Sequence, residues 1–392
     1  MEQRTHVWIL NFEHDLALAS NNPHYIPPKV AVAMNEDMSP LPLWLDDNAT
    51  VLTLQNANKL GEATKNVMAE LGVKGAFRLK SNYEKKEGDV CMAWGWDAQV
   101  AQQANKLGLS ANRDLDFIRE WSHRSKTILY LQKFAESGLF PTGKLPRLAT
   151  TQSQIEEWTT HEELILKAPL SGSGRGIWWA KSGYDFNVQR WSKRTLETQG
   201  CILCEPIWEK TGDFAMEFIC TNGKAEFAGY SHFVADSAGV YRCNLLRKDE
   251  DIEQTLIGKI GSDKIASLKF LWIELLNQTI ATNYNGIVGI DMLTGTINGE
   301  EHLNPCVEIN LRMTMGMAAR IVYDRWISPD SKGEYRTIHF KSEGELAAHA
   351  ESMRKTHPAK IENGKLTEGY VLLNAETPQT HYGIEIEVEK AK

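Results

Sequence analysis

The sequence predicts an α/β protein in which an N-terminal domain with a parallel sheet precedes a mixed α+β region. Three observations lead to this fold class. Strand and helix patterns alternate in the first third of the 392-residue chain, a Gly/Pro-rich connection covers residues 138–146, and short apolar strands dominate after it. A chain of this length exceeds what one hydrophobic core supports, so we expect two or three sub-domains.

The first third contains short apolar segments separated by helical ones. The predicted strands are Val7–Leu10, Val51–Leu54 and Val90–Trp94, and helices follow from Leu16 and over Ala98–Leu107. Strands that alternate with helices pair in parallel. Ligands bind at the carboxyl ends of such strands, so residues 11–15 and 95–97 are candidate binding loops.

The remaining chain contains two long helical stretches and several short strands. A helix is predicted over residues 116–137 and another over Ser262–Thr282, which has apolar residues at helical spacing. A further helix candidate is Gly316–Tyr323. The predicted strands are Leu164–Lys167, Cys201–Cys204, Phe214–Cys220, Ala225–Tyr230, Gly286–Leu293, His302–Leu311, Gly369–Leu373 and Ile384–Val388.

Composition excludes several classes of partner. The formal net charge is −8 and no Lys/Arg-rich stripe is present, which argues against a nucleic acid. The N-terminus lacks a secretory apolar segment, and no apolar run approaches the roughly 20 residues of a membrane helix. We therefore expect a cytoplasmic protein without a membrane partner.

The cysteines do not form a recognisable metal set. Among the six cysteines only Cys201 and Cys204 form a CxxC pair, and no second pair completes a zinc site. We expect them to be buried thiols, with metal or redox use as the alternative.

A lysine at the end of a strand precedes a Gly/Ser-rich segment. Lys167 closes the apolar strand Leu164–Lys167, and Ser171, Gly172, Ser173, Gly174, Arg175 and Gly176 follow. Backbone without side chains can aim several N–H donors at a phosphate, and the lysine adds a positive charge. The pattern is not a Walker A loop. The alternative is a flexible hairpin tip.

Glu205 follows the apolar strand Cys201–Cys204 directly. A carboxylate at a strand exit could accept from an amino or hydroxyl group. Because Glu is seldom buried, a surface position is the alternative.

Two acidic residues lie on adjacent predicted strands. Asp291 is embedded in an apolar strand, and Glu308, Asn310 and Arg312 lie on one face of the next. A two-residue turn at Gly299-Glu300 would place Asp291 opposite Glu308. Facing carboxylates repel unless a cation lies between them, and oxygen ligands suit Mg²⁺. The alternative is polar residues on a solvent-exposed face.

In this order the three features resemble the ATP-grasp superfamily over roughly residues 120–325, most specifically in the E-x-N-x-R segment at 308–312. The resemblance implies an N-terminal α/β domain (1–118) followed by an ATP-grasp module of two sub-domains, 119–205 with the Gly-rich flap and 206–392 with the metal site. It also implies ATP and one or two Mg²⁺ ions as cofactors.

The resemblance implies a role for individual residues. Lys126 and Lys167 would bind phosphates with the flap residues 171–174, Glu205 and Ile207 would hold adenine, and Asp213 the ribose. Asp291, Glu308 and Asn310 would bind the metal, and Arg312 the phosphate or acyl phosphate. Lys126 follows Ser125 instead of the family's usual acidic residue. Arg175 is unusual in a flap and is a candidate substrate or phosphate contact.

The leading hypothesis is an ATP-dependent ligase that activates a small-molecule carboxylate as an acyl phosphate and joins it to an amine or thiol nucleophile, releasing ADP. Phosphotransfer to a hydroxyl is a second hypothesis. A third is a non-catalytic nucleotide-binding protein, against which the three metal ligands argue. The sequence does not name the carboxylate or the nucleophile.

Overall fold

The computed structural model describes residues 4–54, 59–172, 174, 176–236 and 241–391. Its strands are β1 (His6–Ile9), β2 (Ala49–Thr53), β3 (Ala76–Leu79), β4 (Val90–Ala93), β5 (Arg147–Ala149), β6 (Leu164–Lys167), β7 (Ile177–Ala180), β8 (Ile202–Pro206), β9 (Glu209–Thr221), β10 (Lys224–Ala235), β11 (Tyr241–Leu246), β12 (Gly286–Ile297), β13 (Glu300–Asn310), β14 (Ser331–His339), β15 (Lys360–Glu362), β16 (Lys365–Leu372) and β17 (Tyr382–Lys390).

The helices complete the fold. They are α1 (His14–Ser20), α2 (Lys29–Asp37), α3 (Leu41–Leu45), α4 (Glu62–Leu71), α5 (Ala98–Lys106), α6 (Leu115–Trp121), α7 (Lys126–Glu136), α8 (Gln152–His161), α9 (Phe186–Gln199), α10 (Asp249–Ile260), α11 (Ser262–Gln278), α12 (Met315–Trp326) and α13 (Glu345–Thr356), with short 3-10 helices at Lys80–Asn82, Thr142–Lys144 and Ile280–Thr282. The helix predicted over residues 116–137 is two helices, α6 and α7. No helix within the described ranges is both long and apolar enough to cross a membrane.

The chain folds into two compact units. The first unit contains Met1–Arg113, Arg242–Asp249 and Thr314–Lys392, and the second contains Asp114–Tyr241 and Glu250–Met313. This division differs from the predicted segments 1–118, 119–205 and 206–392. The C-terminal strands belong to the first unit because they pair with each other and pack with N-terminal residues.

The first unit begins with the predicted parallel sheet, whose strand order is β3-β2-β1-β4. His6 of β1 pairs with Ala49 of β2 on one side and with Val90 of β4 on the other. The strands predicted around Val7, Val51 and Val90 are therefore confirmed, and β3 joins at the edge.

Further strands of the first unit form an antiparallel sheet region in the order β11-β14-β17-β16-β15, which is part of a nine-stranded sheet. Helix α13 packs on one face of it through Leu346 and Ala350. The sheet is joined to the N-terminal residues by hydrogen bonds from Trp44 Nε1 to the Leu373 carbonyl, 2.9 Å, and from Trp326 Nε1 to the Trp44 carbonyl, 2.7 Å. These contacts place the C-terminal residues in the first unit.

The second unit has a small antiparallel sheet with the order β5-β8-β6-β7. Its buried side chains include Leu166, Ile202 and Cys204, and helices α8 and α9 add Ile155 and Val188 to the same core. This sheet carries Lys167 at the end of β6 and Glu205 in β8. All six cysteines of the chain are free and buried, which confirms the expectation of buried thiols.

The larger sheet strands of the second unit run in the antiparallel order β13-β12-β9-β10. Phe214, Met216 and Phe218 of β9 are fully buried. Alternate residues of the same strands, including Asp213 and Asp291, therefore project from the opposite face. That face carries the candidate site.

Candidate functional site

Asp291 of β12 lies directly opposite Glu308 of β13, and Gly289 lies opposite Asn310. Opposed residues of an antiparallel pair project from the same face. The predicted pairing of the two carboxylates is confirmed.

The turn that closes this hairpin is Asn298-Gly299, so the predicted turn at Gly299-Glu300 is wrong. Asn298 and Gly299 have φ angles of 53° and 82°, the left-handed conformation that a tight hairpin turn requires. Next to the turn, Ile297 pairs with Glu300. That register, continued along the hairpin, would not bring Asp291 opposite Glu308.

A bulge in β13 changes the register. Leu293 pairs with Asn304, whereas Asp291 pairs with Glu308, so β13 contains two extra residues over this interval. The interval includes Pro305, which has no backbone N–H to donate to a strand ladder and is tolerated at a bulge. The bulge thus restores the opposition of Asp291 and Glu308.

The carboxyl group of Asp291 is in an environment that opposes a negative charge. Its pKa is raised to about 7, first by burial and then by the charge of Glu308, while Arg312 and the Asn310 hydrogen bond act in the other direction. Asn310 Nδ2 lies 3.4 Å from Asp291 Oδ2. A cation between the carboxylates would remove this penalty.

The available ligand atoms suit Mg²⁺. Within the described part of the chain, no group of three or more His, Cys, Asp or Glu side chains is arranged to hold a metal. Asp291, Glu308 and Asn310 form a smaller set, which consists of two carboxylates and one amide oxygen. Mg²⁺ commonly uses one or two carboxylates and completes its shell with water and phosphate.

Arg124 connects Glu308 to the start of the Gly-rich segment. Its side chain is 3% exposed, and its Nη2 donates to Glu308 Oε1 at 2.8 Å. The same guanidinium donates to the carbonyls of Ala168 and Ser171, each at 2.7 Å, and to the Ser171 hydroxyl. One buried cation thus holds both a carboxylate of the facing pair and the base of the loop.

Lys167 and Glu205 form a buried ion pair. Lys167 Nζ lies 2.6 Å from Glu205 Oε2, and the two residues are 6% and 7% exposed. They meet because Lys167 pairs with Leu203 and Glu205 with Ile165, which places both side chains on one face of the β6–β8 ladder. The surface alternative for Glu205 is wrong.

The two pairs lie near one buried residue, Cys306. Burial raises the pKa of its thiol; the charges of Glu205, Asp291 and Glu308 raise it further, and Lys167 lowers it. The charges of the four predicted residues Lys167, Glu205, Asp291 and Glu308 thus all act on one buried thiol of the second unit.

The base of the Gly-rich segment is closely packed. Ala168 N donates to the Gly176 carbonyl at 2.8 Å. Gly176 has a φ of 68°, and a Cβ there would lie 2.6 Å from the Ser171 hydroxyl oxygen. Gly172 and Gly174 are part of the same segment, while the predicted site residues Ser173 and Arg175 lie outside the described residues.

The remaining predicted residues occupy different surroundings. Lys126 pairs with Glu120 and lies 4.7 Å from the Trp121 ring centroid. Asp213 accepts from Lys210 Nζ at 2.7 Å and raises the pKa of Asp291 through its charge. Ile207 directly follows β8 and is half-buried.

Sequence reasoning missed two buried charged residues of this unit. Arg124 lies in a polar segment, S-H-R-S-K, where nothing marks it as buried. Glu217 is 1% exposed and lies opposite Gly289, on the same face as Asp291. A carboxylate inside the apolar strand Phe214–Cys220 was the available signal for Glu217.

Comparison with solved structures identifies the fold. The chain resembles a biotin carboxylase from Campylobacter jejuni, solved as a β,γ-ATP complex, with a TM-score of 0.50 and 10% identity over 100% of this chain and 88% of that one. It resembles a pyruvate carboxylase from Rhizobium etli with a TM-score of 0.55 and 10% identity over 99% of this chain and 36% of that one. An N5-carboxyaminoimidazole synthase from Aspergillus clavatus matches with a TM-score of 0.49 and 13% identity over 99% and 94%.

The chain therefore shares the fold of the biotin carboxylase and of the pyruvate carboxylase, and this fold is that of the ATP-grasp superfamily. No family model matches the sequence, and no curated protein matches it.

Proposed function

We propose, from the ATP-grasp fold of the chain, that the protein binds Mg·ATP and uses it to ligate a carboxylate to an amine or thiol. The observation that carries the proposal is the pair of facing carboxylates, Asp291 and Glu308, on a largely buried sheet face. Arg124 already compensates the charge of Glu308, while the pKa of Asp291 stays raised, so a phosphate-bound cation would stabilise the Asp291 carboxylate as well.

In this proposal the nucleotide phosphates bind at Lys167 and the Gly-rich segment. The Lys167 ammonium group is already held by Glu205 at the end of β6, so little side-chain entropy is lost on binding. Glu205 and Ile207 hold adenine, Asp213 the ribose, and Lys126 adds a second cation. Ser173 would contact the phosphates, and Arg175 the phosphates or the substrate.

Asp291, Glu308 and Asn310 would hold Mg²⁺. The ion would neutralise charge that develops on the terminal phosphates during transfer. Arg124 keeps Glu308 in place through its 2.8 Å contact and holds the Ser171 carbonyl at the same time. This arrangement couples the position of a metal ligand to that of the phosphate loop.

The proposed reaction has two steps. A carboxylate oxygen attacks the γ-phosphorus of ATP, the bond to the bridging oxygen breaks, and ADP leaves. The amine or thiol then attacks the acyl carbon, and inorganic phosphate leaves as the new amide or thioester forms. Arg312, whose charge lowers the pKa of Asp291, would bind the acyl phosphate by charge-assisted hydrogen bonds.

A hydroxylamine trap tests this proposal. Enzyme, Mg·ATP and a panel of small acids are incubated with hydroxylamine, and the nucleotide and any hydroxamate are identified. ADP together with a hydroxamate supports the ligase. ADP with a stable phosphorylated alcohol supports the kinase alternative, and AMP as the nucleotide product would contradict the mechanism. Nucleotide binding without any turnover over the panel would favour a non-catalytic protein.

A further inference from the structure

A separate cavity of about 210 Å³ lies in the first unit, at the carboxyl ends of the parallel strands. From β1 the chain proceeds to β2 and β3 on one side of the sheet and then crosses to β4 on the other side. Open parallel sheets bind ligands where the direction of strand order reverses in this way. The position of the cavity therefore indicates a binding site.

Part of the cavity wall is apolar and open to solvent. Val32 is 36% exposed and Leu54 55% exposed, and both line the cavity with Leu52 and Pro27. Helix α2, which carries Val32, has no buried residue. Exposed apolar groups around a concave polar site are typical of ligand pockets and suit an apolar group of the ligand.

An acidic side chain lines the cavity on the β1 side. Glu13 is 7% exposed, and its Oε2 accepts a hydrogen bond from Asn35 Nδ2 at 2.7 Å. Burial raises its pKa, and the Asn35 hydrogen bond lowers it. The other acid at the cavity, Glu36, already has a cation, because Lys59 Nζ lies 2.6 Å from its Oε2.

A basic side chain lines the same cavity. Lys80 Nζ donates to the amide oxygen of Gln103, and both residues line the wall. Burial lowers the pKa of Lys80, and Glu36 raises it. The hydrogen-bonding partners of Glu13 and Lys80 are thus neutral amides. A buried charged group whose hydrogen-bond partner is a neutral amide is stabilised further when a ligand of opposite charge binds to it.

The cavity accordingly combines an acid, Glu13, and a base, Lys80, that are each hydrogen-bonded to an amide, with an apolar wall. Liquid water occupies about 30 Å³ per molecule, so the volume suits a ligand of roughly seven to ten non-hydrogen atoms. We propose that this cavity binds an α-amino acid with an apolar side chain, its ammonium group at Glu13, its carboxylate at Lys80 and its side chain against Val32 and Leu54. The use of this amino acid as a substrate rests on the proposed function, but its binding does not.

Calorimetric titration without nucleotide tests the inference. The probes are L-leucine, 3-methylbutylamine, which lacks the carboxylate, and 4-methylpentanoate, which lacks the amine. L-leucine should bind roughly tenfold or more tighter than either analogue, because each charge-assisted hydrogen bond contributes at least that factor. No measurable binding of L-leucine, or equal binding of an analogue, would overturn the proposal.

Two variants assign the ligand's groups to the cavity. Lys80→Met should remove the preference for L-leucine over 3-methylbutylamine, and Glu13→Gln the preference over 4-methylpentanoate. The matched controls are Lys65→Met and Glu62→Gln, an ion pair on α4 away from the cavity, and both should bind like the wild type. Each variant is first checked for folding by circular dichroism. Unchanged preferences in both cavity variants, once folded, would place the ligand elsewhere and refute the site.

The same titrations separate this inference from the proposed ligase. Asp291→Asn should abolish ADP release and leave L-leucine binding unchanged. Leucine binding without ADP release in any assay would support the cavity and contradict the ligase. ADP release with other acids, combined with no binding of L-leucine, would support the ligase and overturn the cavity assignment.

Discussion

Arg124 Nη2 donates to Glu308 Oε1 at 2.8 Å, while Nη1 of the same side chain donates to the Ala168 carbonyl at 2.7 Å. The contact matters because Glu308 faces Asp291, so Arg124 compensates one of two opposed negative charges. It also holds the residues from which the Gly-rich segment starts. Arg124 therefore contacts both the base of the Gly-rich segment and a carboxylate of the candidate metal site.

Replacing Arg124 should destabilise the protein strongly. Arg124→Met leaves Glu308 without its ion-pair partner and two buried carbonyls without a donor, so we expect a loss of about 3 kcal/mol in the free energy of unfolding. Urea unfolding followed by tryptophan fluorescence measures it. The control is Arg147→Met, whose pair with Glu162 is about 40% exposed on both sides, 39% and 42%, and should cost well under 1 kcal/mol. Equal urea midpoints for the two variants would contradict a structural role for Arg124.

The facing carboxylates should make stability depend on pH. The pKa of Asp291 is about 7 in the folded protein against a usual value of 3.8, so the folded state binds more protons than the unfolded state between these values. The contribution of Asp291 to the free energy of unfolding is fully present below about pH 4 and is lost as the pH rises through 7. The loss is roughly 1.4 kcal/mol for each unit by which the pKa in the folded state exceeds that in the unfolded state.

Urea unfolding at intervals from pH 5 to pH 8 in the absence of Mg²⁺ measures this dependence. The wild type should lose stability over that range relative to Asp291→Asn, which has no titrating group at this position. Addition of Mg²⁺ at pH 8 should restore part of the loss in the wild type alone. Parallel pH profiles of the two proteins would show that Asp291 does not titrate as described.

Asp291→Asn and Glu308→Gln should each reduce ATP turnover to background with the fold intact. Each change removes one anionic ligand of the proposed metal site and weakens Mg·ATP binding. Glu300→Gln in the same hairpin is the control, because the Glu300 side chain is 85% exposed. Turnover by either site variant at the rate of Glu300→Gln would eliminate the proposed metal site.

Lys167 and Glu205 should show a large coupling energy. Each single change, Lys167→Met or Glu205→Leu, leaves one buried charge unpaired and should cost roughly 3–5 kcal/mol. The double variant should lose much less than the combined loss of the single variants, since it buries no isolated charge. Additive losses in urea unfolding would mean that the 2.6 Å contact contributes no pairwise stabilisation.

Gly176→Ala should impair the Gly-rich segment specifically. The new Cβ would lie 2.6 Å from the Ser171 hydroxyl oxygen, in addition to the strain of a φ of 68°. Gly183→Ala is a matched control, because its φ is 78° but its nearest neighbour is 3.7 Å away. Both variants pay about 1 kcal/mol for the left-handed backbone, and we expect a further loss of stability and a raised KM for ATP only in Gly176→Ala. Identical KM values for ATP would indicate that the loop base tolerates the methyl group.

Some features of this site follow from short stretches of sequence. The alternation of apolar and polar residues in β12 and β13 is sufficient to predict a hairpin with Asp291, Glu308 and Asn310 on one face. Lys167 at the end of an apolar strand and the Gly-rich segment after it are equally local. These predictions depend on the alternation of side chains along a strand and on the backbone conformations that glycine can adopt. Both are determined by a few neighbouring residues.

Local sequence does not determine register beyond the turn. The hairpin turns at Asn298-Gly299, and only the bulge near Pro305 brings Asp291 opposite Glu308. The predicted turn at Gly299-Glu300 would also place Asp291 opposite Glu308, but with a register that needs no bulge. The strand β12 that carries Asp291 also pairs with β9, which is distant in sequence.

Burial of charged residues was decided by the tertiary structure. Arg124 and Glu205 belong to residue types that are usually exposed, and in the structure they are buried because a partner from another element compensates each charge. The packing of residues 314–392 with 1–113 likewise depends on contacts such as Trp44 with Trp326. The sequence by itself determined the strands that carry the site, the hairpin and the residue types of the site. Only folding decided which distant cation neutralises Glu308, because that choice depends on a contact between segments 184 residues apart.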